Sequence, residues 1–166
     1  EGDNRERVRD VLEDVEHMSN LVNELLAYSR ADLKSDSVKL ESINLLPVAQ
    51  AAVKRETTPA DNVNVRIDPT ICVVASADLL TRAIANLIRN AVKYAGDAGP
   101  IDVTAERRSG VVEIQIRDSG TGVPEDLLDQ LFEPFFRPET SRSRDTGGVG
   151  LGLAIVEKII ASHGGQ

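Results

Sequence analysis

Two asparagines and a lysine form the first pattern that could carry chemistry. Asn86 and Asn90 lie four residues apart, and Lys93 follows three residues later. On a helix, residues at these spacings share a side, so both amides would project from one face with the ammonium close to them. Amide oxygens can bind a Mg²⁺ ion that shares its shell with phosphates, and an ammonium can offset phosphate charge. If the segment stood alone, capping or core hydrogen-bonded amides would explain the pair equally well.

Two glycine clusters form the second pattern. The first, at 118–122, directly follows a run of Val and Ile, and by itself an ordinary strand-ending turn is its simpler interpretation. The second, at 147–153, enters an apolar helix. Glycines let a backbone approach a ligand closely, and the N–H groups at a helix N-terminus favour an anion such as phosphate. A flexible hinge explains this second cluster less well, because a hinge does not need to abut a helix start.

The N-terminal segment reads as a bundle helix. From Arg5 to about Arg30 there is no Gly or Pro, and apolar residues recur in alternating steps of three and four. This heptad seam needs a partner surface from another chain, from a neighbouring segment outside this chain, or from the rest of the domain. Residues 31–37 read as a polar linker that ends the helix. The seam consists of Val8, Val11, Val15, Met18, Val22 and Leu25.

The remainder of the chain alternates between short strands and helices. Apolar alternation and turn residues predict a hairpin of two antiparallel strands, and the spread of helices among the strands predicts an α+β fold with one mixed sheet and its helices on one face. Ser76 can cap the helix that carries the asparagines. The predicted strands are 38–40, 63–67, 71–75 (a central strand), 101–105 and 111–116. The predicted helices are 48–54, capped by Asn44; one after Ser76; 125–131, after Pro124; and 151–163, closed by Gly164 and Gly165. The helix after Ser76 is expected to bury Leu80, Ile84, Leu87, Ile88 and Ala91.

Length and composition exclude several classes of protein. The chain has 166 residues, which corresponds to about one domain of ~150 residues. Its net charge is −8 and aromatic residues make up only 3%, which argues against a nucleic-acid partner because the phosphate backbone requires a basic face. Its one Cys excludes an internal disulfide and a multi-cysteine metal site. No apolar run approaches the ~18 residues of a membrane span, so we expect a soluble fragment without membrane contact.

Four motifs in a fixed order point to a family. The asparagine motif, then Asp118-x-Gly120-x-Gly122, then the Phe-rich segment 131–137, then the glycine-rich segment 148–153 resemble the catalytic ATP-binding domain of sensor histidine kinases, in the superfamily shared with gyrase, heat-shock chaperone and mismatch-repair ATPases. The resemblance implies a two-layer α/β sandwich of the Bergerat type over 35–166. It also implies that 1–34 is the second helix of a dimerisation and phosphoacceptor hairpin plus a linker. In general likeness the chain resembles PrrB-type sensors.

The same resemblance implies a site for ATP and Mg²⁺. By motif position, Asn90 would bind the metal, Asn86 would lie beside it near the phosphates, and Lys93 would contact the phosphates. Catalytic roles would fall to Asn86, Lys93 and Arg137, with 138–146 as a mobile lid. The remaining contacts would come from Tyr94 lining the pocket, Asp118 accepting from the adenine amino group, Gly120 and Gly122 beside the base, Arg137 at the terminal phosphate, and Gly148, Gly150, Leu151 and Gly152 at the phosphates.

One position separates a kinase from a hydrolase. The water-activating ATPases of the superfamily carry Glu one turn before the metal-binding Asn, where this chain has Asn86. A carboxylate can take a proton from water, whereas an amide has no usable basicity near neutral pH. The resemblance therefore implies transfer of the γ-phosphoryl group to a histidine on a dimerisation helix absent from this chain, with slow hydrolysis otherwise. A dimerisation module with a vestigial pocket and a superfamily hydrolase are the alternatives.

Three other reactive side chains receive no catalytic role. No acidic residue follows His17, so it reads as a solvated bundle histidine and not as the phosphoacceptor. Cys72 lies in an apolar run and is expected in the core. His163 lies at a helix end, where a cation suits the helix dipole.

The resemblance also implies the setting of the domain. The partners would be ATP, the phosphoacceptor hairpin of the full-length protein, and a response regulator. The full-length protein would be a homodimer on the cytoplasmic side, anchored in the membrane by segments absent here. Members of the family continue past the His-Gly-Gly sequence into two more strands, so the sheet is expected to be incomplete at Gln166.

Overall fold

From residue 38 onward, the described part of the chain folds into five short strands and three α-helices. The computed structural model describes residues 38–95, 98–138 and 149–166, together with eight helical positions between 11 and 26. The predicted α+β class is confirmed. In chain order the elements are β1 (Glu41–Asn44), α1 (Leu45–Glu56), β2 (Val63–Ile67), β3 (Cys72–Ala75), α2 (Ala77–Ala95), β4 (Ile101–Arg108), β5 (Val111–Arg117), a 3₁₀ helix (Glu125–Gln130) and α3 (Gly152–Ser162).

A three-stranded mixed sheet has the order β2-β4-β5. β2 runs parallel to β4, with Val63 opposite Ile101, and β4 runs antiparallel to β5. The predicted hairpin is confirmed, and its turn is Ser109-Gly110, whose φ angles of 49° and 88° are both positive. A two-residue hairpin turn in which both residues have positive φ matches the right-handed twist of the paired strands.

The strands β1 and β3 form a separate antiparallel pair, so the described strands make two sheets and the prediction of one mixed sheet is wrong in number. The prediction that 71–75 is a central strand is wrong, because among the described strands β3 pairs only with β1. One face of this pair meets the core through Ala75, while Val74 is 66% exposed on the other. Cys72 is also exposed, so its predicted place in the core is wrong. The Arg107 guanidinium, on β4, donates to the Cys72 carbonyl at 2.9 Å and links the two sheets.

The first strand lies later than predicted. Residues 38–40 have no regular structure, and the strand begins at Glu41, opposite Ala75. Alternation alone placed it too early, because the pairing with β3 decides where the strand forms. The predicted cap of the next helix is confirmed: Asn44 Oδ1 accepts from the Leu46 backbone N–H at 3.0 Å. With that cap, α1 extends beyond 48–54 at both ends.

The helices cover one face of the three-stranded sheet. Ile84 and Ile88 of α2 are buried in the same core cluster as Val103 of β4, whereas Asn64 and Arg66 on the opposite face of β2 are exposed. α2 buries its predicted stripe except for Leu87, which is half-buried. α3 packs against α2 through a second cluster, and Gly164 with φ 72° ends it as predicted. That cluster consists of Ala83, Leu151, Ile155, Val156 and Ile159.

The N-terminal segment is described only in part. All eight described positions are helical, as predicted, and the apolar ones are between 48% and 63% exposed. His17, the linker 31–37 and the predicted domain boundary near residue 34 lie outside the described residues. None of the described helices combines the length and the apolar character that a bilayer crossing requires.

Candidate functional site

The C-terminal half of α2 carries the predicted asparagines. Asn86 is buried, with 5% exposure, although it is polar. A buried amide is costly unless it is hydrogen-bonded, and the Asn86 side-chain Nδ2 donates to the Gly152 carbonyl at 3.3 Å. Asn90, one turn later, is half-buried. The two amides therefore lie on one side of the helix, as the spacing predicted, and that side faces the start of α3.

The N-terminus of α3 lies against these amides. Gly152 is the first residue of α3, and a Cβ at that position would lie 4.0 Å from Asn90 Oδ1. The preceding Leu151 is fully buried and fixes the helix start in the α2–α3 cluster. The first N–H groups of a helix have no partner within the helix and carry the positive end of its dipole. An amide oxygen and the positive end of a helix dipole thus meet at one place.

Gly150 has a conformation that only glycine tolerates at this place. Its φ is 77°, and a Cβ would lie 2.6 Å from the Phe136 carbonyl oxygen. The Phe135 backbone N–H donates to the Gly150 carbonyl at 2.9 Å, and Phe135 itself has a φ of 67°. The Phe-rich segment and the glycine-rich segment are therefore bound directly to each other beside the start of α3.

The loop at 118–122 packs against the C-terminal end of α2, beyond the asparagines. Asp118 Oδ1 accepts from the Gly120 N–H at 2.8 Å, which holds the exposed carboxylate in place. A Cβ on Gly120 would lie 2.7 Å from the Cβ of Ala95, the last residue of α2. Gly122 has a φ of 74° and open space around it. The loop thus lies at the end of α2 that carries Tyr94.

Lys93 and Tyr94 lie together at the end of α2. Lys93 Nζ is 5.1 Å from the centroid of the Tyr94 ring, within the range of a cation–π contact. The Tyr94 side chain is 51% exposed. A cation and an aromatic ring in contact with each other therefore lie between the asparagines and the loop at 118–122.

The remaining predicted site residues are less fully placed. Arg137 is half-buried and lies two residues after Phe135, so it belongs to the segment that is bound to Gly150. Gly148 and residues 139–146 of the predicted lid lie outside the described residues. Among the described residues, no three His, Cys, Asp or Glu side chains converge on a possible metal position. The donor set fits Mg²⁺ held by an amide oxygen and by the oxygens of a ligand.

Three contacts, two of them at the site, were missed from the sequence. The left-handed Phe135 and its bond to Gly150 have no sequence signal, because a positive φ is unusual for Phe. Ala95 matters because its small side chain leaves room for Gly120, and a short residue at a helix end is too common to be informative. The third is the hydrogen bond from the Ser76 N–H to His163, which joins residues 87 positions apart.

Known proteins resemble the chain in sequence and structure. Residues 75–166 match the family of histidine kinase-, DNA gyrase B- and HSP90-like ATPases. The sensor-like histidine kinase SenX3 of Mycolicibacterium smegmatis is 35% identical over 90% of this chain, which spans 40% of the length of that relative.

Solved structures extend the likeness to the fold. Full-length ShkA, solved in complex with AMPPNP, superposes with a TM-score of 0.76 at 27% identity, over 96% of this chain and 34% of that one. The ATP-binding domain of PrrB from Mycobacterium tuberculosis superposes with a TM-score of 0.58 at 30% identity, over 75% of this chain and 82% of that one.

Proposed function

The chain belongs to the family of histidine kinase-, DNA gyrase B- and HSP90-like ATPases, and from that premise we propose that it binds Mg·ATP and transfers the γ-phosphoryl group to a histidine on a dimerisation helix outside this chain. The proposal rests on one juxtaposition. The start of α3 lies against the two amides of α2, with Asn86 bonded to Gly152 and Asn90 Oδ1 close to it. Such a place suits a triphosphate, because it offers backbone N–H donors and a neutral oxygen ligand together.

The phosphate end of the site consists of backbone N–H groups and two cationic side chains. Gly150 and Gly152 let the phosphates approach the backbone N–H groups at the start of α3. Lys93 supplies a positive charge from the neighbouring turn of α2, and Arg137 supplies a second from the segment after Phe135. These groups offset charge that builds up on the phosphoryl oxygens as the bond to the leaving group weakens.

The base end of the site consists of the Asp118 loop and Tyr94. The Asp118 carboxylate accepts from the exocyclic amino group of adenine, while its Oδ1 stays bonded to the Gly120 N–H at 2.8 Å. Gly120 and Gly122 leave room for the base. The half-exposed Tyr94 ring lines the pocket on the side of α2.

Asn90 is the residue that would hold Mg²⁺ through its amide oxygen. When bound, the metal neutralises phosphate charge and orients the phosphates. Asn86 serves a different purpose, because its Nδ2 is engaged with Gly152 and it positions the start of α3.

The chemistry of Asn86 favours transfer over hydrolysis. A buried amide that donates to a carbonyl cannot take a proton from water. The domain therefore positions the phosphoryl group and stabilises charge, and a nucleophile delivered from elsewhere attacks in line. In the full-length protein that nucleophile is the histidine of a phosphoacceptor hairpin. The full-length protein is a membrane-anchored homodimer in this proposal, and it passes the phosphoryl group to a response regulator.

Reconstitution tests this function. The chain would be mixed with labelled Mg·ATP and a separately made phosphoacceptor hairpin, and the hairpin examined for acid-labile label on histidine. We expect label with the wild-type chain and with Asn64→Ala, an asparagine on the exposed face of β2. We expect none with Asn90→Ala. Rapid release of free phosphate without label on the hairpin would favour the hydrolase instead.

A further inference from the structure

His163 joins the last turn of α3 to the residue that precedes α2. Its Nε2 lies 3.0 Å from the backbone nitrogen of Ser76, and its Nδ1 lies 2.7 Å from the carbonyl oxygen of Ile159. The imidazole is half-buried between the two helices. A side chain bonded on both nitrogens is fixed in position and orientation.

The two bonds define the tautomer of the ring. A backbone N–H can only donate, so Nε2 accepts; a carbonyl can only accept, so Nδ1 carries the proton. The imidazole is therefore neutral in this arrangement. An imidazolium would set Nε2–H against the Ser76 N–H, so the expectation of a cation that serves the helix dipole is wrong.

Both bonded groups are ones that the helices themselves leave unsatisfied. The Ser76 N–H lies before the first turn of α2, where helical partners are missing. The Ile159 carbonyl lies in the last turn of α3, and the backbone N–H that would reach it in a longer helix, that of His163, bonds to Ile160 at 3.0 Å instead. The Ser162 hydroxyl also donates to Ile159, at 2.7 Å. His163 thus bonds to one backbone group at an end of each helix, the Ser76 N–H and the Ile159 carbonyl.

Together with Asn86, His163 holds α3 at both ends. Asn86 bonds to Gly152 at the start of α3, and His163 bonds to Ser76 at its end. α3 therefore runs antiparallel to α2. Between the two bonds lie apolar contacts, such as those of Ala83 and Ile155, and because such contacts are non-directional they specify the register less strictly than a hydrogen bond does. The two polar bonds fix the register of the pair.

From this arrangement we propose that His163 is a positioning residue of the nucleotide site. By binding Ser76 it fixes the register of α3 on α2, and so it sets where the N–H groups at Gly150 and Gly152 lie relative to Asn86 and Asn90. His163 itself contacts no phosphate and takes no part in the transfer. The inference rests on the proposed function for its consequence in nucleotide binding, but its structural part can be tested without nucleotide.

Three variants separate positioning from simple stabilisation. His163→Leu removes the bonds to Ser76 and Ile159 and fills the space with an apolar side chain. His163→Gln keeps a carbonyl oxygen that can accept from the Ser76 N–H. Ser162→Ala is the control, because it removes the hydroxyl that bonds to Ile159 and lies 3.2 Å from Nδ1 of His163, but leaves Nε2 of His163 in place to accept from the Ser76 N–H.

The first readout is the NMR spectrum of the nucleotide-free chain. We expect a long-range ¹H–¹⁵N spectrum to show Nδ1 of His163 protonated, with His17 as the other histidine signal. We expect the amide resonances of Gly150 and Gly152 to shift in His163→Leu, to return toward wild type in His163→Gln, and to stay unchanged in Ser162→Ala. Unmoved glycine resonances in His163→Leu would overturn the inference even if the chain bound no nucleotide.

The second readout is the Kd for Mg·AMPPNP, measured by calorimetry under conditions where urea unfolding shows every variant to be folded. We expect His163→Leu to weaken binding about tenfold or more and His163→Gln to stay within about threefold of wild type. A lower stability of His163→Leu with a wild-type Kd would reduce His163 to a stabilising residue and overturn the inference. Equal losses of nucleotide affinity in His163→Leu and His163→Gln would also overturn the inference. If the wild-type chain binds no nucleotide, the proposed function fails, and the glycine resonances decide about His163.

Discussion

The side-chain amide of Asn86 donates to the carbonyl oxygen of Gly152 at 3.3 Å, across 66 positions of sequence. A polar residue buried on an otherwise apolar stripe of α2 is thereby committed to the first residue of α3. The bond explains why an asparagine is placed in the core. It also makes the backbone that we propose to bind phosphate depend on a side chain that is itself neutral and non-basic.

Replacement of Asn86 tests this dependence. We expect Asn86→Ala to weaken nucleotide binding about tenfold and to lower the free energy of unfolding by about 1–3 kcal/mol, because the bond to Gly152 is lost from a buried place. Asn86→Asp keeps the shape but sets a carboxylate against a carbonyl, so the loss should be larger. Calorimetry and urea unfolding measure both effects. An Asp variant that binds nucleotide as well as wild type would contradict the role assigned to this amide.

The crowding at Gly150 gives a second prediction. Gly150→Ala adds a Cβ that would lie 2.6 Å from the Phe136 carbonyl, in a residue with a φ of 77°. Gly164→Ala shares the positive φ, 72°, but has open space, so it is the matched control. We expect Gly164→Ala to cost about 1 kcal/mol of unfolding free energy, and Gly150→Ala to cost more and to abolish nucleotide binding. Equal stabilities of the two variants would show that Gly150 is not crowded.

Asp118 gives a prediction in which stability and binding separate. Asp118→Asn keeps an oxygen that can accept from the Gly120 N–H, so the loop and the unfolding free energy should stay as in wild type. Loss of the charge-assisted bond to adenine should weaken ATP binding about 10- to 100-fold. Parallel titrations with ATP and with inorganic triphosphate measure this, and only the ATP affinity should fall. A similar loss for triphosphate would place Asp118 at the wrong end of the ligand.

Acid should weaken the turn between β2 and β3. The Thr70 hydroxyl, at 2.6 Å, and the Thr70 backbone N–H, at 2.8 Å, donate to Asp68 Oδ1 and lower the pKa of that carboxyl from its ordinary 3.8. A lowered folded-state pKa stabilises the fold above the unfolded value, and this stabilisation is lost as the pH falls through the folded value, below 3.8. The difference in unfolding free energy between wild type and Asp68→Asn should therefore shrink as the pH falls below about 4. A difference that is constant with pH would contradict this.

Local signals made much of the fold predictable from the sequence. The cap at Asn44, the hairpin turn at Ser109-Gly110 and the glycine stop at Gly164 each depend on residues within a few positions of one another. The glycine and asparagine motifs could be recognised for the same reason, and the structure brings Asn86, Asn90 and Gly152 together.

Contacts between distant segments could not be predicted. Cys72 and Val74 were expected in a central strand, because an apolar run does not show which strands will pair with it. Likewise, nothing around His163 indicates that the Ser76 N–H, 87 positions away, needs an acceptor. A reading based on the nearest helix end therefore assigned this imidazole the wrong charge.

The central claim is that an amide-bound metal and the glycine-lined start of α3 hold a triphosphate. Calorimetry of the 166-residue chain with ATP, in the presence and absence of Mg²⁺, tests it most directly. We predict binding that strengthens with Mg²⁺ in the wild-type chain and in Asn64→Ala, and the loss of measurable Mg·ATP binding in Asn90→Ala. An absence of ATP binding by the folded wild-type chain, or undiminished Mg·ATP binding by Asn90→Ala, would contradict it.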